Sequence, residues 1–401
     1  MTKDQNTTGT LPLKKTGSNL VLLLFALPQI IFSVMPSGLN SSFLIGVALL
    51  QALFIGYEIA RGNFVLELEP LWFSATLVCF GLINGLFNGR ISFFNLFTPI
   101  VAYTGYSYLR RHAFDPTVLL RVLTVLYVFF YFVYYRELPD LLIRPGFDED
   151  AYVFDNSSSN AIPISLNFTL FFAVVLYLRE RSNLPHALLA FATINAILII
   201  IQQSRVGIAC AIYQLALVAI FKMSGRSRAT LGVFVIGGIG GILAFDPTIT
   251  RSLSDAYELL QALSLQEDIR GRAQVEFFNL MRGERWIFGH PPNTSFAIGA
   301  DGVVTYTYNV MLDMWGRYSI ISVMALAVVL IRRIMNAKHF KITLPFLLPL
   351  AIYGSVESLF FPNYWDPLIF LVLFERKPLS PTSRAALLES SHGSSSPRES
   401  L

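Results

Sequence analysis

Apolar stretches of near-constant length recur along this chain, separated by short polar segments. A helix needs about 20 apolar residues to cross the hydrocarbon core of a bilayer. The pattern predicts spans near 18–36, 41–60, 70–89, 91–109, 116–135, 160–178, 185–203, 206–221, 229–245, 306–331, 342–361 and 363–375. The third and fourth are joined by a tight Asn88-Gly89-Arg90 turn, and the last is short. The expected fold class is therefore all-α, a polytopic integral membrane protein of about twelve helices. Residues 1–17 read as an N-terminal tail, 18–375 as the transmembrane domain and 376–401 as a disordered C-terminal tail containing His392-Gly393-Ser394. Lys14 and Lys15 before the apolar run Leu20–Met35 have the form of a secretion signal. No small-residue cleavage site follows, so the run reads as an uncleaved first span.

Composition strengthens this reading. Hydrophobic residues make up 54% of the 401 and charged residues only 14%, where a soluble domain carries about a quarter charged. Such a deficit excludes a chain whose surface faces mainly water. Cys79 and Cys210 both fall inside apolar runs, with no CxxC pair or zinc spacing, so neither a disulfide framework nor a thiolate metal site is expected. No Asp-x-Asp or carboxylate cluster points to a metal, no cofactor is implied, and nothing suggests nucleic acid as a partner.

The net charge of +4 matters less than its placement. With the N-terminus inside, alternate segments hold Lys14, Lys15, Arg61, Arg110, Arg111, Arg179, Arg181, Lys222, Arg226, Arg228, Arg332, Arg333, Lys338, Lys341, Arg376 and Lys377. The positive-inside rule then places both termini in the cytoplasm. Two outer loops are long. Residues 136–159 are acidic, and residues 246–305 carry Arg251, Arg270, Arg272, Arg282 and Arg285. Loops this long are usually functional or disordered. The second has helical patterning over Arg272–Met281, with Val275, Phe278 and Met281 near one face and Gly283 as a stop. It reads as an ordered, half-helical lid on the outer membrane face.

Four segments carry candidate chemistry. In Gln202-Gln203-Ser204-Arg205, at the outer end of the seventh span, an arginine enters the next helix at membrane depth. It either grips an anion such as phosphate or snorkels to the headgroups. In Asp268-Ile269-Arg270-Gly271-Arg272, two arginines around a glycine are spaced to bracket a diphosphate, or Arg272 pairs with Asp268 or Glu276 along a helix. Tyr306-Thr307-Tyr308-Asn309 leads into the tenth span, ahead of Asp313, Trp315-Gly316 and Arg317. Asn309 suits sugar hydroxyls or phosphate, whereas the tyrosines also suit an interfacial belt. Asp313 and Arg317 are spaced to neutralise each other, and Glu357 is an alternative partner for Arg317. His290, before Pro291-Pro292, is either a base or a surface residue. Asn160, at the start of the sixth span, is a further polar candidate. Gly237-Gly238-Ile239-Gly240-Gly241 lies within a span and suits close helix packing rather than phosphate binding.

These segments resemble the O-antigen polymerase and O-antigen ligase superfamily of bacterial envelope enzymes. Ser204-Arg205-Val206-Gly207 looks like that family's Ser-Arg-x-Gly start of a span. Gly271-Arg272, with Trp286 and Ile287-Phe288-Gly289, looks like its loop arginine, tryptophan and terminal glycine. Tyr308-Asn309, with Gly316 beyond, resembles its His-Asn pair, with tyrosine where ligases usually carry histidine. The resemblance implies a GT-C-like, metal-independent membrane glycosyltransferase of the bacterial inner membrane. It implies transfer of a glycan from undecaprenyl diphosphate to a lipid-linked repeat unit at the periplasmic face. The implied partners are the lipid-linked oligosaccharide, the bilayer and a chain-length regulator protein.

In that reading Arg205 and Arg272 stabilise the departing diphosphate. Arg270 holds the second phosphate or steers the donor, while Asn309, Arg317 and Asn160 bind substrate. His290, Glu276 and Tyr308 are candidates for the proton acceptor. Three other readings stay open: a ligase delivering glycan to a lipid A-core sugar, a transporter or flippase for a lipid-linked sugar, and a non-enzymatic membrane assembly partner. Against the transporter, the sequence has no visible internal repeat, and its ionic residues gather outside the spans.

Overall fold

A computed structural model describes residues 11–33, 40–61, 66–112, 114–134, 161–180, 185–201, 205–222, 269–291, 294–297, 303–304, 307, 309–335, 347–355, 361 and 363–374. The described part is built of helices, with one pair of two-residue antiparallel strands. In chain order the helices are α1 (Leu11–Ser33), α2 (Asn40–Ala60), α3 (Leu68–Phe87), α4 (Phe93–Arg111), α5 (Thr117–Tyr134), α6 (Ala161–Glu180), α7 (Ala187–Ile201) and α8 (Arg205–Lys222). After these come α9 (Ile269–Leu280), α10 (Arg285–Phe288), α11 (Val310–Arg317), α12 (Ile320–Met335), α13 (347–354) and α14 (Asp366–Phe374). Strands β1 (Phe296–Ala297) and β2 (Val303–Val304) pair between α10 and α11. The expected ninth span, the acidic loop 136–159 and the C-terminal tail lie outside the described residues.

The helices follow the apolar runs, with two differences. Helix α1 begins at Leu11, inside the stretch expected to be a tail, with Pro12 in its first turn, where the missing N–H has no intrahelical partner to lose. The expected span 306–331 is two helices, broken at Tyr318–Ser319. The Ser319 hydroxyl accepts the Ile321 N–H at 2.9 Å, an N-cap that starts α12 afresh. At the α3–α4 turn, Gly89 takes a positive φ of 65°, and the Ser92 hydroxyl accepts from the Asn95 N–H.

Helices α4 and α6 organise the core. Helix α4 packs against α3, α14, α2 and α1, and α6 against α5, α1, α7 and α8. All nine residues of α14 are buried. Phe370 and Phe374 meet Phe73 of α3, and Trp365 stacks on Phe168 of α6 with centroids 5.1 Å apart. Among the described residues, Leu68–Phe87 and Ile162–Arg179 are long and apolar enough to cross a membrane. Their settings differ: the α6 stretch is 83% buried, the α3 stretch only 39%. Leu68, Leu53 and Leu20 are 83%, 71% and 70% exposed. Many large apolar side chains are thus exposed on the outside of the helix bundle.

Charges gather where helix ends meet. At the end of α4, Arg110 pairs with Glu67 and Arg111 with Glu58 of α2. The Tyr106 hydroxyl donates to Glu67, and Arg179 of α6 donates to the carbonyls of Leu109 and Arg110, both at 2.8 Å.

A second polar knot lies inside the bundle. The fully buried Asn167 of α6 donates to the Gly207 carbonyl of α8 at 3.0 Å and to the Tyr353 hydroxyl of α13 at 2.7 Å. It accepts from Asn195 of α7 at 3.0 Å, and Gln214 of α8 donates to its backbone carbonyl. Such bonds inside apolar bundles contribute about 0.6 kcal/mol each on average and up to about 1.7. Asn167→Leu removes the three that its side chain makes, so a loss of about 2 kcal/mol is expected. Thermal unfolding of the purified variant in detergent measures it, with Tyr353→Phe expected to lose about a third as much.

Candidate functional site

The end of α3 opposite the charged cluster meets the folded part of the long arginine-bearing loop. Helix α9 forms there, close to where the sequence places a helix, but it presents a different face. Ala273, Phe277 and Met281 are buried, spaced four apart, whereas Phe278 is 47% exposed. The expected Val275/Phe278/Met281 face is thus corrected. A small alanine at 273 allows close approach, and the i, i+4 row rather than the i, i+3 row makes the contact. The buried row packs on Phe296 of β1 and Trp315 of α11. Gly283, with φ of 61°, ends the segment as expected.

The chain then makes one turn of helix, α10, and is pinned from two sides. Asn84 of α3, which is 1% exposed, donates through Nδ2 to the Phe288 carbonyl at 2.6 Å and to the Gly316 carbonyl at 2.9 Å. The His290 N–H donates to the same Gly316 carbonyl at 3.0 Å. The Trp315 indole N–H donates to the Trp286 carbonyl at 2.8 Å, and the two indoles meet edge to face at 4.5 Å. Gly289 and Gly316 make this approach possible. A Cβ on Gly289 would stand 2.3 Å from the Gly316 carbonyl oxygen, and one on Gly316 would stand 2.2 Å from the His290 ring.

His290 is therefore not a surface residue. It is 4% exposed, between Phe277 and Phe296, and its Nδ1 lies 2.9 Å from the Pro291 carbonyl. Burial pushes its pKa down to about 4, opposed by the Pro291 hydrogen bond and reinforced by the charges of Arg317 and Arg285. A ring enclosed this way holds the lid to α11. It is poorly placed to take a proton from a substrate hydroxyl, which must come within about 3 Å.

The other nominated residues are distributed as follows. Arg270 and Arg272 lie in the first turn of α9, and Arg272 and Glu276 are half-buried one turn apart. Arg317, at the end of α11, is half-buried. Asn309 is the N-cap of α11: its Oδ1 accepts from the N–H groups of Met311 and Leu312 at 2.9 and 3.2 Å. That leaves its Nδ2, 3.5 Å from the Ser355 carbonyl, as the part able to meet a ligand. Asp313, expected to offset Arg317, accepts the N–H and hydroxyl of Thr307 at 2.8 and 2.9 Å. Arg205 is the first residue of α8, a helix that packs on α6 and α7, whereas α9 packs on β1. Tyr308, Asn160, Asp268 and Glu357 lie outside the described residues.

The structure thus brings together Trp286, Gly289, His290, Trp315 and Gly316, with the cations Arg285 and Arg317 beside them. Asn84, which joins them, was not singled out from sequence. Its only signal is an amide side chain inside an otherwise apolar run. Among the described residues no group of three or more His, Cys, Asp or Glu is placed to hold a metal ion. Comparisons with protein-family models, with curated proteins and with solved structures found no match to this chain.

Proposed function

We propose that this chain is a polytopic inner-membrane polysaccharide polymerase. In this reading it transfers a glycan from undecaprenyl diphosphate to a lipid-linked repeat unit at the outer face. The observation that carries the reading is the meeting of Trp286–His290 with Gly316 beneath the arginine-bearing α9. Two of the three segments that resemble the polymerase and ligase superfamily meet there.

The membrane setting draws support from the apolar exterior and from the two spanning-length helices. The orientation draws support from the opposite end. Arg110, Arg111 and Arg179, assigned to the cytoplasmic side by the charge rule, meet there with Glu58 and Glu67.

In the proposed reaction the bond between the sugar's anomeric carbon and the diphosphate oxygen breaks. A bond from the acceptor hydroxyl oxygen to that carbon forms. The diphosphate leaves with the electron pair, and its growing charge is met by the guanidiniums of Arg272 and Arg205, with Arg270 and Arg317 steering the anionic donor. The acceptor proton passes to a carboxylate or phenolate. Glu276, half-buried one turn from Arg272, is the described candidate, and Tyr308 is the other.

Arg205→Ala and Arg272→Ala are each expected to lower polymerisation by about 10²–10³-fold, the usual cost of one oxyanion-stabilising donor. Protein level in the membrane should be unchanged. The readout is the glycan ladder made in detergent from purified lipid-linked repeat units with no ion gradient. Normal ladders from both variants would reject the role of the arginines. Product attached to a lipid A-core acceptor, with no ladder, would assign the chain to the ligases instead.

A further inference from the structure

A groove of about 700 Å³ runs between α1 and α5, away from the site described above. Leu23, Leu27 and Ile30 form one wall and Val122, Val125 and Phe129 the other. All lining residues are apolar except Asn19 and Arg121, which sit together at one end. That end is the one where Arg110, Arg111 and Arg179 cluster, since α5 begins six residues after α4 ends. Arg121 is exposed, and among the described residues no carboxylate lies within ion-pair distance of it. The Asn19 side-chain oxygen is taken by the Asp115 N–H at 3.0 Å, and the Asp115 carboxylate accepts the Thr117 N–H at the start of α5.

We infer that this groove binds one anionic phospholipid, with its phosphate on Arg121 and an acyl chain along α1 and α5. The inference rests on the membrane-spanning part of the proposed function, not on the polymerase activity. Length supports it. From Asn19 to Ile31 the helix rises about 18 Å, close to half of a hydrocarbon core of about 30 Å. The groove therefore holds a chain from one leaflet. A polyprenyl tail is several times longer, and the proposed donor's diphosphate belongs at the opposite end of the bundle. Charge supports it as well. Arg121, exposed at the mouth of the apolar slot, favours an anionic headgroup over a zwitterionic one.

The test uses the full chain in detergent, supplied with phosphatidylglycerol or phosphatidylcholine and read by native mass spectrometry. The wild type is expected to retain one phosphatidylglycerol in preference to phosphatidylcholine. Arg121→Gln should lower that retention about fivefold, the weight of one basic residue near a lipid surface. Val125→Trp, which fills the slot from a 67% exposed position, should abolish retention of both lipids. Leu53→Trp, on the exposed face of α2, should leave it unchanged.

Equal retention of both lipids by the wild type, or full retention of phosphatidylglycerol by both groove variants, would overturn the inference. Cross-linking of groove residues to the chain's own 229–245 segment would do the same. Extraction of the protein from membranes by alkaline carbonate would instead remove the membrane-spanning reading itself, so the two failures are distinguishable.

Discussion

Gly289→Ala is expected to destabilise the protein by about 4 kcal/mol, combining backbone strain of about 1–3 with overpacking of about 1–3 kcal/mol. Gly289 sits at φ 85°, ψ −172°, a conformation that is essentially restricted to glycine. Its α-hydrogens face the Gly316 carbonyl and the Asn84 amide, and a methyl would come within 2.3 Å of both. The obstructing atoms are a backbone carbonyl and a side chain fixed by two hydrogen bonds. Neither can swing away as the tip of a long side chain could.

Gly283, six residues earlier, is an internal control. It also has a positive φ, 61°, but a Cβ there meets nothing within 4 Å. Gly283→Ala should cost only the left-handed backbone term, about 1–2 kcal/mol. Thermal unfolding of both variants in detergent separates the two contributions. Equal losses would mean that the lid is not clamped onto α11 in the way described. Under the proposed polymerase function, Gly289→Ala should also lose the polymer ladder while Gly283→Ala keeps it, because only the former lifts the loop from α3 and α11.

The contrast between these glycines marks where sequence stops being informative. Helices α2 to α8 coincide with apolar runs because a run of that length has few other ways to satisfy its backbone. Gly283 was legible as a helix stop, since a local rule governs it. Gly289 has its reason for being glycine in Gly316 and Asn84, and Asn84 is 204 residues from the carbonyl it holds at Phe288. No local pattern carries that information.

The break at Ser319 was missed for a related reason. Apolar residues continue on both sides of it, so hydropathy alone sees one span. The buried face of α9 was misread because Ala273 gives little hydrophobic signal, though its smallness brings the helix close to its neighbours. His290 shows the same limit most clearly. Two following prolines mark a loop, and loops are usually exposed. Phe277 and Phe296 enclose it from elements that only the folded chain brings together.

That enclosure gives the second large effect. An unfolded histidine titrates near 6.5, whereas His290 in the fold is pushed down to about 4. Below pH 6.5 the unfolded chain takes up a proton that the folded one refuses. Stability tied to this group is therefore complete above about pH 6.5, falls as the pH drops and is fully lost below about 4. The loss is about 2 kcal/mol by pH 5 and about 3 kcal/mol by pH 4.

Other groups also titrate between pH 7 and 5, so the histidine is isolated by the difference between the wild type and a variant that cannot take up the proton. His290→Gln keeps a polar ring-sized group against the Pro291 carbonyl but cannot be protonated. Its stability in detergent should be lower than the wild type's at pH 7, and the gap should close by about 2 kcal/mol from pH 7 to 5, so the two curves converge on acidification. Parallel curves over that interval would mean that His290 is solvated in the folded protein. The case for a buried pin would then fail, and the ring would return to the set of groups able to accept a substrate proton.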